Sequence, residues 1–191
     1  LTPALFIHQT DRCCESRSLT PNYLLANNLK MSETLILPTS TNRAELYEAL
    51  YPQIEALVST ESDLIANLSN VAAALKEAFG FFWVGFYMVK EGQLVLGPFQ
   101  GPIACTRIPY HKGVCGACYT RQKTIIVPDV DQFPGHIACS SASKSEVVVP
   151  VFHRNGTVAM VLDVDSDQLD DFSQADADGL EKLMKLLKRK L

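Results

Sequence analysis

Four of the six cysteines of this 191-residue chain fall within residues 101–150: Cys105, Cys115, Cys118 and Cys139. They sit in G-P-I-A-C, G-V-C-G-A-C-Y and P-G-H-I-A-C-S. Thiols concentrated in this way point to metal binding or redox chemistry. Each is flanked by Gly, Ala, Pro or a loop-like polar run, so the backbone can bend and bring sulfur atoms together. A thiolate attacks electrophilic sulfur, selenium, carbonyl carbon or peroxide. A second thiol makes the cycle reversible by trapping the oxidised first one as a disulfide, which a dithiol or a protein reductant resets by exchange.

Redox chemistry is the preferred reading. Cys139 is the candidate for attack, because it lies in the longest loop among small residues that let a substrate approach. His136, three residues away, could favour a thiolate there. Cys105 and Cys115 are the candidates to resolve it. Cys118 makes C-G-A-C with Cys115 and offers an alternative disulfide, although its place on a short helix suits a small buried hydrophobe equally well. Zinc is the competing reading: four cysteines with one C-x-x-C can form a tetrahedral site, but a second close pair is missing.

Several elements must position these thiols. The segment from Asn42 carries Leu46, Leu50, Ile54 and Leu57 at helical spacing, with Thr41 or Asn42 as cap and Pro52 as a potential kink. A second helix follows, capped by Asp63 and ended by Gly80, with Leu64, Leu68, Val71, Ala72, Leu75 and Phe79 on one face. The period then changes. Residues 81–89 and 93–99 read as a hairpin turning at Lys90, Glu91 and Gly92. Residues 106–110 form a short strand, 114–122 a short helix begun by Gly113, and 124–130 a strand stopped by Pro128. Residues 129–145 form a long loop rich in Pro, Gly, Ser and Ala; 145–152 and 157–166 are a second hairpin, and a helix runs from about Ser173 to Leu187. This order predicts an α+β domain: an antiparallel sheet with helices packed on one face and a long active-site loop.

Residues 1–40 read as a poorly ordered N-terminal extension, with 1–30 as non-native sequence ahead of the M-S-E-T that begins at Met31; 41–191 read as a single domain. Cys13 and Cys14 are therefore left out of the site. The net charge of −4, from 17 basic and 21 acidic residues, gives no general attraction to nucleic acid or to an anionic membrane. Lys185, Lys188, Arg189 and Lys190 cluster at the end of the last helix, where cations complement the helix dipole. No apolar run is long enough to span a bilayer, and the start lacks the features of a secretory signal. A reducing, cytoplasmic setting is expected, in which cysteines are catalytic, sensing or metal-binding.

The combination L-G-P-F-Q-G-P-I-A-C-T-R-I-P, G-V-C-G, D-V-D-Q-F-P-G-H-I-A-C and S-E-V-V-V-P-V resembles the free methionine-(R)-sulfoxide reductases, a GAF-domain family, from about Asn42 to Leu187. The resemblance implies a GAF-like fold and reduction of the free amino acid sulfoxide. It matches the family's three motif cysteines to Cys105, Cys115 and Cys139, with Cys139 attacking the sulfoxide. Cys105 is then favoured to resolve it, with Cys115 next and Cys118 last. Thioredoxin is the implied reductant, and neither metal nor organic cofactor is required. A homodimer is compatible with the resemblance.

The aromatic pocket of the family matches Trp83 and Tyr87, which are four apart and share a strand face. They could enclose the S-methyl group by burial and sulfur–aromatic contact. The acidic residues match Glu146, Asp163 and Asp165. A sulfoxide is a poor electrophile until its oxygen is protonated or strongly hydrogen-bonded, and a carboxylic acid kept neutral by burial can do this. Glu146 is the choice, with Asp165 helping. An ionised carboxylate would bind the substrate ammonium, a role open to Asp163 or Asp165, which point to the same side of one strand. The alternative function is a small-molecule-binding GAF sensor module without catalytic activity; the absence of an output domain after residue 191 counts against it.

Overall fold

Asn42 accepts a hydrogen bond from the Ala44 amide and starts α1 (Arg43–Thr60), which runs on through Pro52. Asp63 caps α2 (Leu64–Phe79) through the Ala66 amide, and Gly80 ends it in the left-handed conformation. Both caps were legible in the sequence. This computed structural model describes residues 34–135 and 140–191. Leu35–Leu191 forms one compact unit, six residues earlier than the expected start at 41, because Leu35 and Leu37 pack against the core. Ile36 also exchanges hydrogen bonds with the Gln53 side chain. Residues 1–33, with Cys13, Cys14 and the expected non-native segment, lie outside the described residues.

The first hairpin is β1 (Trp83–Lys90) and β2 (Gln93–Gln100), turning at Glu91 and Gly92, both with positive φ. Then come β3 (Arg107–Pro109), α3 (Gly113–Arg121), β4 (Ile125–Val127), β5 (Ser145–Phe152), β6 (Val158–Ser166) and α4 (Gln174–Leu187). Pro128 ends β4 as expected, but earlier, and a 3₁₀ turn over Val130–Gln132 follows. The six strands order as β3-β2-β1-β6-β5-β4, and each neighbouring pair is antiparallel.

Alternation along the central strands builds two different faces. Val84 and Phe86, Val147, Val149 and Val151, and Met160, Leu162 and Val164 form one core with α1, α2 and α4. Trp83, Tyr87, Val148 and Val161 face the other way and pack with Val114, Cys115 and Cys118 of α3. The expected α+β class is what the chain adopts, with a refinement: α3 does not join the other three helices but covers the opposite face. Cys115 and Cys118 are three positions apart on the helix, which puts both thiols toward the sheet there.

A buried polar network ties α4 to α1. Asp176, fully buried, accepts from Arg43 at 2.9 Å and Tyr47 at 3.2 Å, and completes a capping box with Ser173. Gly179 lets the Tyr47 ring lie close: a Cβ there would be 2.3 Å from it. Asp176 is thus a buried carboxylate with satisfied partners, a useful contrast to the carboxylates on the other face.

Candidate active site

Strand register decides which acids meet. Asp165 pairs with Trp83 on one side and Glu146 on the other; Asp163 pairs with Gly85 and Val148. Glu146 and Asp165 are therefore direct cross-strand neighbours, with Asp163 diagonal to Glu146. All three side chains project to the α3 side, where Cys115 meets them: its Sγ lies 4.0 Å from Glu146 Oε1. They line a cavity of about 40 Å³ with Trp83, Tyr87, Ile103, Ser140 and Ser143. Such a space holds only a few waters.

Trp83 and Tyr87 are as buried as the core, and their rings stack with centroids 5.9 Å apart; Phe99 stacks on Trp83 from the other side. Their polar ends do more than enclose. Trp83 Nε1 donates to the Pro102 carbonyl at 3.1 Å, and the Tyr87 hydroxyl donates to the Cys105 carbonyl at 3.0 Å. Together they pin the segment that carries Cys105 onto the sheet. Two glycines make room for the indole. A Cβ at Gly85 would be 2.5 Å from the Trp83 ring, and one at Gly101, whose φ is +138°, would be 2.6 Å from it.

The electrostatics are those of carboxylates in a largely enclosed site without a basic side chain among the described lining residues. Glu146 is 6% exposed and Asp163 7%. Burial, then the facing Asp163 and Asp165, holds Glu146 well above the usual carboxylate range. Burial followed by Asp163 does the same to Asp165, opposed by a hydrogen bond from Ser143 Oγ. Burial pushes Asp163 up to about 6, its contacts with Cys115 and Glu146 offsetting part of the effect. Asp163 Oδ1 is buried with no hydrogen-bond partner among the described residues.

The thiols divide by environment. Burial, then Asp163 and Glu146, raises Cys115 well above the ordinary thiol value, so it stays a neutral thiol. Cys118 is likewise raised, chiefly by burial, and its Sγ points at the Val148 carbonyl at 3.6 Å. Both are free thiols, whereas Cys105 is disulfide-bonded. Cys139 and His136 lie outside the described residues.

The structure thus brings together Trp83, Tyr87, Cys115, Glu146, Asp163 and Asp165, and ties Cys105 to them through Tyr87. Sequence reasoning missed Ser143, Phe99 and Gly85. A glycine inside the apolar run W-V-G-F-Y was the one available signal, since it marks close approach of another group. Ser143 sits in S-S-A-S-K-S, where nothing distinguishes one serine from the next.

The GAF domain family model matches residues 60–188. GAF domain-containing protein A of Dictyostelium discoideum is 58% identical over 147 residues, which cover 76% of this chain and 92% of the relative. Free methionine-R-sulfoxide reductase of Escherichia coli is 42% identical over 151 residues, covering 78% of this chain and 91% of the relative. Among solved structures, the free methionine-R-sulfoxide reductase of Neisseria meningitidis in complex with its substrate matches with a TM-score of 0.79 at 51% identity, over 82% of this chain and 95% of that one. The six-stranded antiparallel sheet and its helices are those of a GAF domain. Within that class, the chain belongs to the free methionine-R-sulfoxide reductase family.

Proposed function

We propose that this protein reduces free L-methionine (R)-sulfoxide to L-methionine. The observation that carries the reading is the triad of acids, buried Glu146 and Asp163 with half-buried Asp165, facing a cavity walled by Trp83 and Tyr87. Asp163, which lines the cavity with a buried Oδ1 that lacks a partner among the described residues, holds the substrate ammonium as a carboxylate. Neutral Glu146 gives its proton to the sulfoxide oxygen, helped by Asp165. The aromatic pair surrounds the S-methyl group.

In the reaction, the Cys139 thiolate attacks the sulfoxide sulfur as its oxygen is protonated; the hydroxyl then passes to the Cys139 sulfur while the transient S–S bond and the original S–O bond break, so methionine leaves and Cys139 remains as the sulfenic acid. The Cys105 thiol attacks that sulfur, expels water and closes a disulfide. Thioredoxin's dithiol reduces the disulfide, becoming oxidised itself. Neither metal nor organic cofactor takes part. The disulfide-bonded state of Cys105, next to the pocket, supports its role as the resolving thiol. Cys115, neutral beside Glu146, is then a wall of the site and a reserve thiol. In this reading the loop over 129–145 moves as substrate enters, so hydrogen exchange in that loop should differ between oxidised and reduced protein. Among the described residues no helix is long and apolar enough to cross a membrane.

The test is methionine release from separate R and S epimers of free methionine sulfoxide with thioredoxin recycling. Turnover of the R epimer alone, abolished by Cys139→Ser, is expected. No turnover of either epimer by folded, reduced protein would instead leave a ligand-binding sensor.

A further inference from the structure

One Sγ and two carboxylate oxygens, from Cys115, Glu146 and Asp163, lie within 4.8 Å of one another. The three residues are 3%, 6% and 7% exposed. Among the described residues no other group of His, Cys, Asp and Glu is this compact. Asp163 Oδ1 is buried and has no hydrogen-bond partner among the described residues, so one acceptor remains unmet. The described lining offers no Lys, Arg or His to balance the carboxylates. The buried Asp176 on the opposite face, by contrast, has Arg43 and Tyr47.

We propose that Cys115, Glu146 and Asp163 form a binding site for a divalent zinc ion, and that the bound ion excludes the substrate. The donor set selects the metal. One sulfur with two carboxylates does not suit calcium or magnesium, which take six or more oxygens. It suits zinc, which accepts mixed sulfur and oxygen ligands in a four-coordinate shell. With Zn–S of about 2.3 Å and Zn–O of about 2.0–2.2 Å, tetrahedral ligands stand roughly 3.3–3.7 Å apart. The 4.0 Å between Cys115 Sγ and Glu146 Oε1 needs to close only slightly. Zinc displaces the thiol proton outright. Asp165 is engaged by Ser143, which leaves the fourth position to water. This site differs from the four-cysteine arrangement that the sequence allowed, since Cys118 points to a backbone carbonyl and Cys105 is disulfide-bonded.

The exclusion of substrate rests on the function proposed above: Asp163 cannot bind an ammonium group and a metal at once, nor can Glu146 donate a proton while it is a ligand. The zinc site itself does not depend on that reading. Cys115 is free while Cys105 is disulfide-bonded, so oxidised protein is the form to test.

The experiment is equilibrium dialysis of zinc chloride against the full oxidised chain, with Glu146→Gln, Asp163→Asn, Cys115→Ser and Cys118→Ser variants checked for folding by near-UV circular dichroism. One zinc per chain is expected, with affinity weakened roughly tenfold or more by each of the first three changes and kept by the fourth. Cobalt chloride in place of zinc should give a sulfur-to-metal charge-transfer band that Cys115→Ser removes. In the reduced Cys139→Ser protein, which can take up the sulfoxide without turning it over, free methionine (R)-sulfoxide should raise the apparent zinc Kd. No zinc binding, or equal affinity in all variants, overturns the site; zinc binding indifferent to the sulfoxide overturns the exclusion. Zinc held by these three residues in a protein that turns over neither epimer would reject the reductase reading and leave the metal site standing.

Discussion

The Tyr87 hydroxyl donates to the carbonyl oxygen of Cys105 at 3.0 Å. A residue expected only to wall a pocket therefore also holds the loop that carries Cys105, the thiol proposed to resolve Cys139. Tyr87→Phe keeps the ring and removes this bond. A hydrogen bond of this type contributes about 0.5–1.5 kcal/mol, so disulfide closure should slow by roughly two- to tenfold. Rapid-quench trapping of the sulfenic acid with dimedone should show it accumulating in the variant; equal trapping in wild type and variant would remove the positioning role.

Glu146 and Asp163 should separate kinetically. Glu146→Gln removes a proton donor used in the transition state, and kcat should fall by about 10²–10⁴ with little change in KM. Asp163→Asn removes the charge opposite the ammonium, worth about 1.5–3 kcal/mol, so KM should rise by roughly ten- to hundredfold. Steady-state kinetics on both variants test the division, and the reverse pattern would exchange the two roles.

The three acids should make stability fall as pH rises. Glu146, Asp163 and Asp165 have folded-state values raised above those of ordinary carboxylates. The folded protein holds their protons where the unfolded chain has released them. Their contribution is full below the ordinary range of about 4 and is lost as pH rises through the raised folded-state values, about 6 for Asp163. In chelator-containing buffer, Tm should be lower at pH 8 than at pH 5, and Glu146→Gln should flatten this dependence. A wild-type and a variant profile of equal slope would contradict the assignment.

Gly85 is predicted to be intolerant of a side chain. A Cβ would meet Phe99 Cβ at 2.3 Å and the Trp83 ring at 2.5 Å. Gly85→Ala should cost about 1–3 kcal/mol in chemical denaturation and should shift Trp83 fluorescence, since the chain has one tryptophan. An unchanged midpoint and spectrum would show that β1 and β2 yield instead.

Much of this site could be read from the sequence. The strand period placed Asp163 and Asp165 on one face and Trp83 and Tyr87 on one face, and the pairings bear this out. Register was not legible: only the antiparallel pairing of β5 with β6 sets Glu146 against Asp165. The fate of C-G-A-C was equally hidden. Both cysteines sit on the buried side of α3, yet one meets Glu146 and the other a backbone carbonyl. That difference arises from how α3 crosses the sheet, and no local spacing encodes it. Nor does any local pattern show α3 on the face opposite the other helices.

The most direct measurement is a single turnover. Fully reduced protein is mixed with excess free methionine (R)-sulfoxide without reductant, methionine is counted, and the disulfide is mapped by peptide mass spectrometry. The account predicts one methionine per chain and a Cys105–Cys139 bond. No methionine, or methionine accompanied by a Cys115–Cys118 bond with Cys105 still reduced, would contradict it.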